Sequence, residues 1–224
     1  AGCEAMGLTE VAARLQQLEA AELVDPQPES RFAGTRAWSF RHALVQQVAY
    51  KMLPSQPRRS LHRSAARWLE QAGEPDAAVL AEHFARAGER AEAASCFAKA
   101  ATRALAEGNL RRAVECFEAS LVDELEPAAR IARSKGLSHA LIALGRHDEA
   151  WKILSRLSWD QLDEHEQDPV LAAELDYLKG RVLFAQGKNA RAEQLLAGAL
   201  AGLQGRGELD LCFQVQQILF WIQW

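Results

Sequence analysis

The amino-acid sequence predicts a mostly α-helical protein that contains a short β-hairpin near its start and continues as stacked pairs of helices. Three observations support this fold class. The 224 residues are rich in alanine and leucine, and 49% are apolar, which is ordinary for a chain with a buried core. Two short apolar runs flank a turn-rich stretch near residue 30. Farther along, a glycine recurs at constant distances from small and large residues.

The recurring glycine pattern is clearest between residues 91 and 121, which are predicted to form two helices joined at Gly108. Glycine ends a helix readily because it adopts a positive φ without a Cβ clash. A small residue stands seven positions before the glycine, an alanine five after it and a large apolar residue nine after it, and the pattern recurs 37 and then 42 residues later. Small residues let the paired helices approach closely, and the large residue fills the gap. The three sets are Ala101, Gly108, Ala113 and Phe117; Ser138, Gly145, Ala150 and Leu154; and Gly180, Gly187, Ala192 and Leu196.

This unit resembles the tetratricopeptide repeat (TPR), a helix-turn-helix of about 34 residues. The resemblance implies a right-handed TPR-like helical solenoid over residues 74–224, truncated at its C-terminal end. An ordinary helical bundle with chance spacing is the alternative. The first helices of such repeats line a concave surface. Counting from each glycine in the TPR phase predicts a binding surface made of Thr102, Lys135, His139, Tyr177 and Arg181. These polar side chains suit an acidic or extended peptide, a protein or a small effector, unless they form only a solvated face.

Residues 1–73 are predicted to hold the end of a winged helix and two connecting helices. A helix over residues 8–23 precedes short strands at 23–24 and 37–40, and helix followed by hairpin is the second half of a winged helix. The apolar periodicity then predicts two helices with buried stripes. The stripes are Leu44, Val45, Val48, Ala49 and Met52 in residues 42–53, and Leu61, Ala65, Trp68 and Leu69 in residues 58–71.

The segment WSFRHALVQQVAY at residues 38–50, with LPS at 53–55 and RRSLH at 58–62, resembles bacterial STAND-type regulatory ATPases, a family of multidomain signal-transduction proteins. In that family a P-loop ATPase precedes a winged helix and a TPR-like sensor. The motif G-x-x-x-x-G-K-[ST] does not occur in this sequence. The resemblance therefore implies a non-catalytic sensor arm that relays partner binding to an ATPase domain through the winged helix. ATP or ADP would bind that domain, and neither a cofactor nor enzyme activity is expected on this chain.

His42 is the candidate nucleotide-sensing residue. In the family that the segment resembles, a histidine at the start of this element contacts the β-phosphate of ADP, and Phe40-Arg41-His42 matches that position. A helix N-terminus also favours a nearby phosphate. The role is expected only in a polypeptide that carries the ATPase. A histidine that caps the helix or packs against the hairpin is the alternative.

Positive charge is concentrated in residues 31–67, which hold eight Lys or Arg and no acid, although the net charge of the chain is −4. A basic segment in a winged helix suggests DNA binding. The preceding helix, however, carries Glu10, Glu19 and Glu22 against Arg14, the wrong sign for approaching phosphates. Docking of the basic helices on the ATPase domain is the preferred interpretation. A DNA-binding winged-helix regulator with a TPR dimerisation region is the alternative.

The last helix, over residues 208–224, ends in ILFWIQW and is expected to expose an apolar surface. That surface indicates a truncated solenoid or self-association through this helix. The acidic stretch 158–168 is predicted to be a solvated linker, because the spacing of an EF-hand is missing.

The four cysteines are scattered without a C-x-x-C pair, which predicts buried thiols in a cytoplasmic protein rather than a metal site. No apolar run approaches the ~20 residues that span a bilayer, so no membrane partner is expected.

Overall fold

A computed structural model describes residues 8–123, 125–157 and 168–224. Over these residues the chain is mostly helical, with eleven α-helices and one two-stranded antiparallel sheet, so the predicted mostly-α class with a short β-hairpin is confirmed. The elements are α1 (Leu8–Ala20), β1 (Val24–Pro26), β2 (Trp38–Phe40), α2 (Ala43–Met52), α3 (Ser55–Gln71), α4 (Ala77–Ala87), α5 (Arg90–Ala106), α6 (Leu110–Ser120), α7 (Pro127–Ala143), α8 (His147–Leu154), α9 (Pro169–Ala185), α10 (Asn189–Leu203) and α11 (Leu209–Gln223).

The chain divides into two compact units, Ala1–Ala93 and Ala94–Trp224. The division falls inside α5, whereas the repeat pattern predicts a functional boundary between residues 73 and 74. The first unit holds the hairpin and helices α1 to α4, and the second holds the glycine-keyed helix pairs.

The hairpin of the first unit is short and antiparallel. Val24 pairs with Phe40, and Pro26 pairs with Trp38. Two further backbone hydrogen bonds extend the pairing at either end: the Gln27 amide donates to the Ala37 carbonyl at 2.8 Å, and the Arg41 amide donates to the Leu23 carbonyl at 3.1 Å. Arg41 directly follows β2, and α2 begins two residues later at Ala43.

The apolar stripe of α2 is exposed, and the prediction that it is buried is wrong. Leu44 and Met52 are 71% and 78% exposed, Val48 and Ala49 are exposed as well, and only Val45 is half-buried. Periodicity shows that such residues share one face of a helix, but it does not show that another element covers that face. Among the described residues of the first unit, none packs over this side of α2.

The buried face of α3 also differs from the predicted one. Leu61 and Trp68 are each 44% exposed, Ala65 and Leu69 are half-buried, and the residues that are buried are His62 and Ala66. The reason is a polar contact that an apolar pattern cannot reveal. The Tyr50 hydroxyl hydrogen-bonds His62 Nε2 at 2.9 Å, and His62 Nδ1 lies 3.2 Å from His83 Nδ1. A polar group is buried at little cost when its hydrogen bonds are satisfied.

The two histidines join α3 to α4 only while at least one of them is neutral. Two protonated imidazoles would present N–H donors to each other, which forbids the hydrogen bond. Burial is the main cause that lowers the pKa of His62 and of His83, and the charge of Arg86 lowers both further. Repulsion between the two rings and the charge of Arg58 also lower the pKa of His62, so the folded unit favours the neutral form of both rings.

We expect the free energy of unfolding to fall with pH below the ordinary histidine pKa of about 6.5. Because the pKa values of His62 and His83 are lowered in the folded chain, the unfolded chain takes up protons first as the pH drops through this window. Chemical denaturation between about pH 7 and pH 5.5 measures the slope, and His83→Gln should flatten it. Identical slopes for the wild type and His83→Gln would contradict the assignment.

In the second unit, each of the three predicted glycines ends a helix. Gly108, Gly145 and Gly187 have φ of 76°, 75° and 74° and lie between the paired helices, as predicted. The small and large residues around them are also buried as predicted. These residues are Ala101, Ala113, Phe117, Ser138, Ala150, Leu154, Gly180, Ala192 and Leu196.

The helices approach most closely where a large side chain meets a glycine. A Cβ on Gly180 would lie 2.7 Å from Leu196 Cγ, so the leucine of α10 occupies the space of the missing side chain on α9. Gly136 of α7 faces the ring of Phe117 from α6 in the same manner, and this second close contact was not predicted. Large apolar residues therefore join both the helices of one pair and the adjacent pairs.

We expect Gly180→Ala to destabilise the protein, because the new methyl group would overlap Leu196. Overpacking of this kind costs about 1–3 kcal/mol. Gly198→Ala is the matched control, because Gly198 is also helical and nothing lies within 4 Å of the position of its Cβ. The control should be neutral or stabilising by about 1 kcal/mol, since alanine favours helix over glycine. Urea denaturation compares the two, and equal stability would refute the close-packing assignment.

Candidate functional site

Four of the five residues predicted to bind a partner lie together on helices α7 and α9. Lys135 and His139 are one turn apart on α7, and Tyr177 and Arg181 are one turn apart on α9, so each pair shares a helix face. Glu174 of α9 joins them, and its carboxylate lies 2.5 Å from Lys135 Nζ. These five residues are called the α7–α9 cluster below. The prediction did not include Glu174, although its position three residues before Tyr177 places it on the same face.

The surroundings of His139 lower its pKa and favour the neutral imidazole. Burial is the main cause that lowers the pKa of His139, and the positive charges of Arg181 and Lys135 lower it further, against a smaller opposing effect of Glu174. A neutral imidazole offers one N–H donor and one acceptor nitrogen. The ring can therefore hydrogen-bond a ligand without adding charge to the cluster.

Arg181 supplies the positive charge that the cluster retains. The Lys135 ammonium is neutralised by Glu174, but no ion pair joins Arg181 to a carboxylate among the described residues. The Arg181 guanidinium instead lies over the ring of Tyr177, with its central carbon 5.5 Å from the ring centroid. Stacking on an aromatic face orients a guanidinium while leaving its edge N–H groups available. The cluster is thus suited to an anionic group.

Thr102, the fifth predicted residue, is not part of this cluster. It lies on α5, where its hydroxyl donates to the Ala98 carbonyl at 3.0 Å. It lines a surface cavity of about 680 Å³ between α5 and α7, called the α5–α7 groove below. The ten residues that line the groove are Ser95, Ala98, Lys99, Thr102, Arg103, Ala106, Phe117, Ala129, Ala132 and Arg133.

His42 lies in the first unit, immediately before α2. Its backbone is extended, with φ −127° and ψ 126°, and its side chain is exposed and makes no capping hydrogen bond. The helix-capping alternative is therefore not observed. The nucleotide-sensing role stays a prediction.

Much of the positive charge in residues 31–67 is paired within the first unit. Arg41 lies 2.8 Å from Asp25 and lowers the pKa of that carboxyl, chiefly through their hydrogen bond. Three further arginines pair with acids from outside the segment, and Arg58 donates to the Leu53 carbonyl. The three pairs are Arg31 with Glu74, Arg63 with Glu89, and Arg67 with Glu89 and Glu92. The charge that is concentrated in the sequence is thus partly neutralised in the structure.

Helix α11 exposes large apolar side chains, as predicted. Val215 is buried against the rest of the second unit, but the other side of the helix is open to solvent. The exposed residues are Leu209, Phe213, Phe220, Trp221 and Trp224. Self-association through this helix stays a prediction.

The remaining predictions have mixed outcomes. Asp168 caps α9 by accepting from the Val170 amide at 2.9 Å, but the rest of the acidic stretch that was predicted to be a solvated linker lies outside the described residues. Cys96 and Cys116 are buried, Cys212 is half-buried, and Cys3 lies outside the described residues. Within the described ranges, no group of three His, Cys, Asp or Glu could hold a metal ion, and no helix has the length and hydropathy to cross a bilayer.

No family model matches the chain, and no curated protein does.

We expect two substitutions in the α7–α9 cluster to move the pKa of His139 in opposite directions. Arg181→Gln removes a positive neighbour and should raise that pKa, whereas Glu174→Gln removes a negative one and should lower it. Both values should stay below the ordinary histidine value, because burial persists. An NMR titration of the imidazole resonances measures them, with the exposed Arg191→Gln on α10 as control. If neither substitution changed the pKa of His139, then Arg181 and Glu174 would not be adjacent to its imidazole.

Proposed function

We propose that this chain is the non-catalytic sensor and interaction arm of a multidomain signalling regulator. Residues 1–73 would be a partial winged-helix region, and residues 74–224 a right-handed TPR-like solenoid whose first helices bind a protein, a peptide or a small effector. Binding would be relayed through the winged-helix region to an ATPase domain of the same regulator. The resemblance of residues 37–62 to STAND-type ATPases supports this assignment, and so do three helix pairs keyed by the same glycine register.

The observation that carries the proposal is the uncompensated Arg181 in the α7–α9 cluster. A half-buried cation without a carboxylate partner loses hydration and gains little in return, so it is a poor choice for stability alone. It is a good choice for binding, because a charge-assisted hydrogen bond to an anion is stronger than one between neutral groups. Neutral His139 beside it adds a donor and an acceptor. The cluster therefore supports recognition of an anionic group and contains no nucleophile positioned by a base.

The ion pairs of the first unit weigh against the alternative of a DNA-binding regulator. DNA binding depends on free Lys and Arg that neutralise phosphates and release the counterions condensed on the DNA. Four of the eight cations in residues 31–67 are already paired with acids, namely Arg31, Arg41, Arg63 and Arg67. The other four cations of this segment remain compatible with docking of the unit on an acidic protein surface.

A charge-reversal pull-down tests the proposal. Lys135→Glu with Arg181→Glu should abolish capture of a partner that the wild-type chain retains through chemical crosslinking. The matched control is Lys152→Glu with Arg191→Glu, which makes the same change in net charge at exposed positions of α8 and α10. Circular dichroism confirms that both variants fold. Equal capture by both variants would contradict the assignment of the binding surface, and turnover of a substrate by the chain would contradict its non-catalytic role.

A further inference from the structure

The α5–α7 groove exists because two alanines stand where the α7–α9 cluster has an ion pair. Relative to the buried small residue of each first helix, Ala98 occupies the position of Lys135, and Ala132 occupies the position of Glu174. Between α7 and α9 the two long side chains meet and fill the space. Between α5 and α7 the corresponding side chains are single methyl groups, and a cavity of about 680 Å³ remains.

The lining of the groove combines apolar residues with cations. The apolar residues are alanines of α5 and α7 together with Phe117 of α6, which is only 4% exposed. Lys99, Arg103 and Arg133 stand among the lining residues, and no carboxylate does so in the described part of the chain. Arg103 has Glu107 as a partner at 2.8 Å, and Arg133 donates to the Ser120 carbonyl. Neither Lys99 nor Arg133 pairs with a carboxylate of the described residues, so net positive charge remains at the groove.

A ligand that meets both this groove and Arg181 must be extended. Ala132 lies one helical turn before Lys135 on the same side of α7, so the groove leads toward the α7–α9 cluster. Passing from α5 to α9 crosses two interhelical spacings, on the order of 20 Å. About six residues of extended polypeptide span that length. A single small anion could occupy one of the two positive sites but not both.

We infer that the α5–α7 groove binds an acidic peptide segment, with an apolar side chain against the alanines that line it and carboxylates beside Lys99 and Arg133. This inference rests on the proposed function, because it places the ligand on the same first-helix surface, and it states the chemistry of that ligand. Charge complementarity selects an acidic segment over a basic one. The apolar lining of the groove favours a segment that carries a leucine or phenylalanine among its acids.

Isothermal titration with a synthetic peptide tests the inference. The probe is a peptide of roughly seven residues, one leucine flanked by glutamates, which matches the estimated span. The full chain should bind it, and a lysine-flanked peptide should not bind. Lys99→Glu should weaken binding by about tenfold, since it replaces an attraction by a repulsion of similar size. Lys99→Arg should retain binding. Lys152→Glu is the matched control on α8 and should bind as the wild type does.

A second measurement locates the peptide on the surface. Bound peptide should protect Lys99 from acetylation, measured by mass spectrometry, while Lys152 keeps its reactivity. Equal affinity of Lys99→Glu and Lys152→Glu would overturn the inference, as would no binding by the wild type. Binding of 3-phenylpropionate in the groove without binding of the peptide would also overturn it, in favour of a small-molecule site. Loss of peptide binding in Arg181→Glu but not in Lys99→Glu would exclude the groove as the peptide site without contradicting the proposed function.

Discussion

The second unit depends on the contact between a small residue of one helix and a large side chain of the next. Gly180 admits Leu196, and Gly136 admits the Phe117 ring, at distances that no side chain on the glycine would permit. Once these contacts fix the rotation of each helix about its axis, the directions of its other faces are also determined. Residues three before and one after the small position then point to the same surface in successive pairs. Lys135 and His139 have these offsets from Ser138, and Tyr177 and Arg181 have them from Gly180.

This register explains why the second unit was the predictable part of the chain. A glycine with positive φ and its small and large companions are local features, and each has one structural meaning. The location of Lys135, His139 and Arg181 follows from the same count, whereas Tyr177, predicted with them, is only 6% exposed and belongs to the buried core. Glu174 was missed because its role is set by a partner on another helix, Lys135, which a pattern within one helix does not show.

The first unit was less predictable, because polar contacts decide which faces are buried there. His62 is buried through its bonds to Tyr50 and His83, and the Glu74 carboxylate is buried beside Arg31. A prediction from apolar periodicity treats such polar residues as exposed, so it predicted that the wrong face of α3 is buried. The error on α2 has another origin. Leu44 and Met52 do share a face, but burial is a property of two surfaces and the sequence of one helix describes only its own.

The contrast between the two interhelical spaces on the first-helix surface shows how one repeated scaffold can hold two kinds of site. Where Lys135 meets Glu174, the charges cancel and the space is filled, so only Arg181 remains to attract an anion. Where Ala98 and Ala132 stand instead, there is no such ion pair, and a cavity remains between α5 and α7. The apolar lining of the groove is mainly alanine, because Phe117 is only 4% exposed, and covering apolar surface recovers roughly 25 cal/mol for each Å². The positive charges of Lys99 and Arg133 then favour an acidic segment, because a basic segment would meet like charges at the groove. In the proposed peptide complex, affinity would therefore arise from the apolar lining, and selectivity from the charges that no carboxylate of the described residues compensates.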